Sequence, residues 1–154
     1  MCSGLECEIA LKAIESYNLP VLVGTYLKDN GQLPSGEKVI DIVKKYKNNK
    51  WLGIIMACIS PGAYELVIND LQKLDIPYGF KLNAFKKIPE GYTVASKDQW
   101  GNAGNPITVL GKNTDLNESK FYEYAKKFMK NGATILGGCC EIKPSHIKEI
   151  AKLK

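Results

Sequence analysis

The sequence predicts an α/β domain built on a parallel sheet. Short apolar runs that read as strands alternate with helix-period patterns, in the order α-β-α-β-α-β-loop-α-β-α. Strict alternation of this kind calls for parallel strands joined by crossover helices. The 154 residues, 45% hydrophobic and 24% charged, suffice for one domain with a real core. Two cysteine-bearing turns, at Cys58 and at Cys139-Cys140, follow strand runs directly and precede helix starts. The C-terminal ends of strands are where α/β folds bind ligands. An open parallel sheet and an eightfold barrel both satisfy these observations. A complete barrel needs about 250 residues. Four strand runs, with an opening helix and no strand before it, look like entry partway through a fold. The units share no repeat, which argues against a solenoid.

Each element has a local reason. Leu5 to Tyr17 reads as a helix, with Ile9, Ala13, Ile14 and Tyr17 at helical spacing and Asn18 and Pro20 as its stop. Pro20 to Tyr26 is a strand apolar enough to be buried on both faces. After a turn-rich loop from Lys28 to Pro34, Ser35 is placed to cap a helix whose stripe is Val39, Ile42, Val43 and Tyr46. Asn48-Asn49 closes that helix, and Leu52 to Met56 is a second buried strand running into Ala57-Cys58. Ser60 followed by Pro61 is a cap and a first-turn proline. Tyr64, Val67, Ile68, Leu71 and Leu74 then form an apolar face. Pro77 to Lys81 is a short third strand.

From Leu82 to Asn117 no period holds, and a loop that long in a small domain points to function or disorder. Asn117 caps a helix with Phe121, Tyr124, Ala125 and Phe128 on one face, ended by Asn131-Gly132. Ala133 to Leu136 is the fourth strand, Gly137-Gly138 the turn after it, and Pro144 opens a last helix with Ile147 and Ile150 inward.

Composition excludes several function classes. Net charge is +5, carried by lysines alone, since the chain has no arginine. Arginine is the usual bidentate clamp for phosphate and guanine, and lysines such as Lys44, Lys45 and Lys47 alternate with apolar positions as solvated helix faces do. Nucleic acid is therefore not an expected partner. No apolar run is long enough to span a membrane, and Met1-Cys2-Ser3-Gly4 lacks the form of a signal peptide, so the expected compartment is the cytoplasm. Five cysteines, an odd number in a chain of this kind, argue for metal or thiol chemistry over a disulfide framework. Cys2 and Cys7 read as ordinary small apolar residues.

Cys58 and the Cys139-Cys140 pair are different. All three end strands, and in a parallel sheet such positions share one edge, so they converge although about 80 residues separate them. Three protein ligands with an open fourth position describe a catalytic zinc site. Soft thiolates favour Zn or Cu(I) over Mg or Ca. Three thiolates on Zn²⁺ suit holding an incoming thiol as a nucleophilic thiolate. His146, the single histidine, lies close in sequence to the cysteines; a role as ligand or ligand support is one reading, and a partly exposed residue of the last helix is the favoured one.

Gly137-Gly138-Cys139-Cys140 followed by Pro144-Ser145-His146-Ile147 resembles the C-terminal signature of the homocysteine S-methyltransferases. Gly53-Ile54 through Cys58-Ile59-Ser60-Pro61 resembles their other zinc motif, with Ala57 where that motif carries Asn. Lys81-Leu82-Asn83 resembles a segment read Tyr-Pro-Asn in the family, with the Asn kept. The resemblance covers nearly the whole chain. It implies the C-terminal half of a (β/α)8 barrel, one partial domain over residues 1–154, with the family's N-terminal half lacking a counterpart.

It also implies zinc-dependent methyl transfer to homocysteine, giving methionine, from a donor such as betaine, S-methylmethionine or methyltetrahydrofolate. Cys58, Cys139 and Cys140 become zinc ligands, Asn83 and Gly138 substrate-side residues, and Tyr92 and Trp100 a lid over the donor. The half-barrel on its own is expected to be inactive, and to self-associate or bind a complementary half. A non-catalytic zinc-binding module is the alternative, and a vicinal-dithiol redox protein a weaker one, because adjacent cysteines close a strained ring.

Overall fold

Four strands pair in parallel in their order along the chain: β1 (Val21–Tyr26), β2 (Trp51–Ile59), β3 (Tyr78–Leu82) and β4 (Ile135–Gly138). They belong to a computed structural model that describes residues 1–48, 50–88 and 106–153. Helices alternate with them as the sequence pattern requires: α1 (Gly4–Ala13), α2 (Val39–Tyr46), α3 (Pro61–Leu71), α4 (Pro106–Leu110), α5 (Glu118–Lys130) and α6 (Pro144–Ile150). A 3-10 turn, Ala151–Leu153, follows α6. Among the described residues no helix is long and apolar enough to cross a membrane.

One face of the sheet carries the core. Val23, Ile54, Met56, Phe80 and Leu82 are all buried there. The register that pairs Thr25 with Met56 and Met56 with Phe80 lines them up in rows. α3 and α5 seal this layer through an aromatic cluster, with Tyr64 5.4 Å from Phe80 and 4.5 Å from Phe128 between ring centroids. Burying each such ring stabilises the fold by about 2–3 kcal/mol. The opposite face bears Leu22, Gly24, Ile55, Lys81, Ile135 and Gly137. It is not sealed in the same way, since Leu22 is 47% exposed.

Tyr64 contributes a cost as well as a ring. Its hydroxyl is buried without a hydrogen-bond partner among the described residues, and desolvation holds its pKa above the ordinary tyrosine value. Tyr64→Phe is therefore expected to raise stability by about 1 kcal/mol in urea unfolding, because the variant no longer buries an unpaired hydroxyl. A loss of stability would reveal an unrecognised partner for that oxygen.

Several expectations are corrected. α1 runs from Gly4 to Ala13, capped by Ser3, and its inner face is Gly4 and Cys7, whereas Ile9 is 59% and Tyr17 61% exposed. The cause is close packing on α2. A side chain at Gly4 would meet the Glu37 carboxylate at 2.5 Å and Ile42 at 2.9 Å, so the small residues face inward and the apolar spacing of Ile9 faces out. Ser35 caps nothing, and α2 begins four residues later, after Lys38. Ser35 Oγ instead donates to Glu37 Oε2 at 2.6 Å, and that carboxylate accepts the Gly4 N–H at 2.8 Å, tying the loop to α1. β1 is not buried on both faces, as Leu22 shows. β2 is longer than Leu52 to Met56, because its pairing with β3 continues past Ala57 to Ile59.

The segment after Leu82 is not without structure. It contains α4 and an isolated antiparallel bridge between Phe85 and Lys112. Ile147 is 42% exposed, and His146 takes the inner position with Ile150. His146 is 5% exposed, contrary to the expected surface position. Both its nitrogens are satisfied locally: Nδ1 accepts the Lys143 N–H at 3.2 Å and Nε2 donates to the Leu116 carbonyl at 3.1 Å. Those bonds fix the Nε2–H tautomer and remove the penalty of burial.

Candidate metal centre

The sulfur atoms of Cys58, Cys139 and Cys140 lie within 4.8 Å of one another, the one group of metal-capable side chains found among the described residues. Cys58 Sγ is 3.6 Å from Cys140 Sγ, and Cys139 Sγ is 3.9 Å from Cys140 Sγ. Tetrahedral ligation with Zn–S bonds of about 2.3 Å separates sulfurs by about 3.8 Å. Cys140 thus stands at the spacing that such a metal needs from both other sulfurs, and soft sulfur donors suit Zn or Cu(I). Cys58 and Cys139 are half-buried and Cys140 is exposed, which leaves one side open.

The backbone pays for this arrangement at Cys58. The β2–β3 register shifts between Ala57 and Ile59, so Cys58 is the extra residue of a bulge, with φ at 54°. A left-handed conformation is costly for a residue with a Cβ, and a bulge re-aims a side chain that the pleat would otherwise direct elsewhere. Asn83 holds the bulge. Its Nδ2 donates to the Cys58 carbonyl at 2.6 Å and lies 3.9 Å from Cys58 Sγ. Its Oδ1 accepts the Phe85 N–H at 3.1 Å, and its own N–H donates to the Ile59 carbonyl at 2.9 Å. Asn83 is 1% exposed, so these bonds are made in a dry setting.

The second turn is pinned from the same strand. The Cys139 N–H donates to the Leu82 carbonyl at 2.7 Å, and the Ala84 N–H to the Cys140 carbonyl at 3.0 Å. Glu141 adopts a φ of 63° directly after the pair, and its carboxylate lies 3.7 Å from Lys112 Nζ. Gly138 is needed for close approach: a Cβ there would stand 2.3 Å from Ile142 Cγ2 and 2.7 Å from Ile142 Cβ. Gly138→Ala is expected to cost about 1–3 kcal/mol in stability. The shifted turn should weaken metal binding in the same variant, read by urea unfolding beside a metal-competition titration. An unperturbed variant would mean that Ile142 moves aside freely.

The thiols do not ionise independently. Hydrogen bonding from Cys58 is the largest influence on Cys139 and, with the Cys140 backbone and the charge of Lys81, holds its thiol down at about 5 against the opposing effect of burial. Cys58 is pushed far up, first by its hydrogen bond to Cys139 and then by desolvation. Cys140 is also raised, chiefly by desolvation. The metal-free cluster therefore holds one negative charge near neutral pH, shared across three sulfurs.

All three cysteines singled out in the sequence meet here, and Asn83 and Gly138 border them. Tyr92 and Trp100 lie outside the described residues. His146 bonds elsewhere, to Lys143 and Leu116. Sequence reasoning missed the Cys58 bulge, which leaves no compositional mark, and Lys81. The signal for Lys81 was available: it is the one charged residue in the four strands.

Comparison with known proteins points to one family. The family profile described as homocysteine S-methyltransferase matches residues 1–153. A curated relative, homocysteine S-methyltransferase 2 of Arabidopsis thaliana, is 24% identical over 126 residues, which are 81% of this chain. The chain spans about a third, 34%, of that relative's length.

Proposed function

The chain belongs to the homocysteine S-methyltransferase family, and on that premise we propose that its three cysteines form the zinc centre of a methyltransferase acting on homocysteine. The observation that carries the reading is the convergence of three strand-end sulfurs within 4.8 Å. Cys58, Cys139 and Cys140 hold the metal in this reading. Zinc held there would favour the homocysteine sulfur as a thiolate at neutral pH, its proton passing to solvent. That sulfur would attack the methyl carbon of a donor such as betaine, S-methylmethionine or methyltetrahydrofolate: the S–C bond forms as the methyl–donor bond breaks, and that bond's electron pair leaves with the donor.

The chain's own residues do the positioning. Asn83 fixes the Cys58 bulge, and Gly138 lets the Cys139-Cys140 turn pack on Ile142. Both are substrate-side in this proposal. The exposed side of Cys140 is the direction from which a small thiol enters.

The four parallel strands are read as the C-terminal half of a (β/α)8 barrel, a single partial domain. One contact supports this beyond the family. Met1 N donates to the Gly24 carbonyl at 2.7 Å, and the Tyr26 N–H donates to the Met1 carbonyl at 2.9 Å. That is the bonding of a parallel strand residue against the outer edge of β1. A complementary half or a second copy of the chain is the expected partner, and the cytoplasm the expected compartment.

The reading is tested on the metal. Purified protein loaded with zinc should bind about one ion per chain and show Zn–S scattering near ~2.3 Å in X-ray absorption. A spectrum dominated by nitrogen or oxygen neighbours would remove the basis of the proposal.

A further inference from the structure

We propose that Lys81 binds the carboxylate of the thiol substrate, an inference that rests on reading the three cysteines as a centre for an amino-acid thiol. Lys81 is an anomaly in its strand. The other four residues of β3 are buried, it alone is exposed, and no other residue in the four strands carries a charge. Parallel strands are ordinarily apolar on both faces. A lysine on an edge strand discourages unwanted pairing, but β3 lies between β2 and β4 and has no free edge.

Its place in the register gives the charge a use. Lys81 pairs with Ala57 on one side and Gly137 on the other. Ala57 immediately precedes Cys58, and Gly137 stands two residues before Cys139. The lysine stem therefore rises between the two turns that carry the sulfurs. Phe80 packs on Tyr64 and Phe128, so Lys81, the next residue, projects from the opposite face. Its Cγ lies where a side chain at Gly137 would reach it at 3.4 Å.

Among the described residues the ammonium has no ion-pair partner, while Lys112, close to the same turns, is engaged by Glu141. A cation with no ion-pair partner among the described residues, rising between the two turns that carry the sulfurs, matches a ligand with a thiol at one end and a carboxylate at the other. With no arginine in the chain, a lysine is the residue available for such a contact.

The test uses the whole chain loaded with Co(II), whose thiolate charge-transfer absorption reports sulfur ligands directly. Two probes are titrated: 4-mercaptobutyrate, which has the carboxylate, and propane-1-thiol, which lacks it. The unmodified protein should prefer 4-mercaptobutyrate by about tenfold or more, the effect of one charge-assisted contact. Lys81→Met should abolish that preference, with a much smaller effect on propane-1-thiol, and Lys81→Arg should keep most of it. Equal preference in the unmodified and Lys81→Met proteins overturns the assignment of Lys81, as does a cobalt protein that binds neither thiol. A chain that takes up no cobalt overturns the metal reading together with this one.

Discussion

Cys58→Ala is expected to lower zinc affinity by more than about 100-fold, a larger loss than the 10- to 100-fold that follows removal of a group merely supporting a ligand. Cys58 supplies one of three sulfurs, and its replacement also relieves no strain, because alanine at a φ of 54° is as poorly placed as cysteine. Asn83→Ala, which frees the bulge but leaves every sulfur, should fall in the smaller range. The order of the two variants in a chelator competition is the check. An Asn83 variant weaker than the Cys58 variant would mean that two sulfurs suffice.

Zinc affinity should also rise steeply with pH. Binding needs three thiolates, and near neutral pH the cluster holds one negative charge shared among its sulfurs, so two protons remain on it. About two protons then leave per zinc bound, so affinity increases by about 100-fold per pH unit above the Cys139 titration near 5 and below those of the other two thiols. Below that point a third proton must leave and the dependence steepens. Calorimetry in buffers of different ionisation enthalpy counts the protons directly. A count near zero would show that the cluster is already fully ionised and that mutual repulsion of the thiolates is screened.

Much of this architecture was legible because its signals are local. Ser60-Pro61 opens α3 as its residues dictate, with Ser60 Oγ accepting the Ala63 N–H at 3.2 Å, and Asn117 caps α5 through the Lys120 N–H at 3.0 Å. Alternation of strand and helix fixes the parallel order, and the parallel order places strand-end cysteines on one edge. What stayed hidden depends on partners distant in sequence. Ser35 has the chemistry of a cap, but Glu37, engaged with Gly4, claims its hydroxyl. His146 looks like a surface residue until Lys143 and Leu116 saturate its ring. Which face of α1 turns inward is decided by how closely Gly4 lets it approach α2, and the hydrophobic period alone points to the wrong side. At the sulfur cluster, residue types marked the three cysteines that converge, whereas the bulge that aims Cys58 arises from β2–β3 register and Asn83, which no pattern in β2 announces.

The 154-residue chain on its own is expected to form no measurable methionine, with zinc, homocysteine and each of betaine, S-methylmethionine and methyltetrahydrofolate supplied in turn. A four-stranded sheet ordered β1 to β4 has two outer edges and cannot close into an eight-stranded barrel. On the β1 edge Met1 occupies Gly24 and Tyr26, leaving Leu22, 47% exposed, beyond its reach. β4, the other edge, is only half-buried along its length. Edges of this kind pair with other chains. The chain should therefore run on size exclusion as a dimer or larger, or bind a complementary half. Chemistry leads to the same result. In the proposed reading the sulfur cluster holds a thiol and Lys81 its carboxylate, but catalysis needs the donor methyl aligned with the sulfur as well. Most of the advantage of binding two reactants together comes from that alignment, about 7–11 kcal/mol where it is complete. A surface that fixes one reactant and leaves the other free forfeits it. Robust turnover by a monomer would sink the half-barrel reading. Turnover that appears only in the associated form, or on addition of a complementary half, would support it.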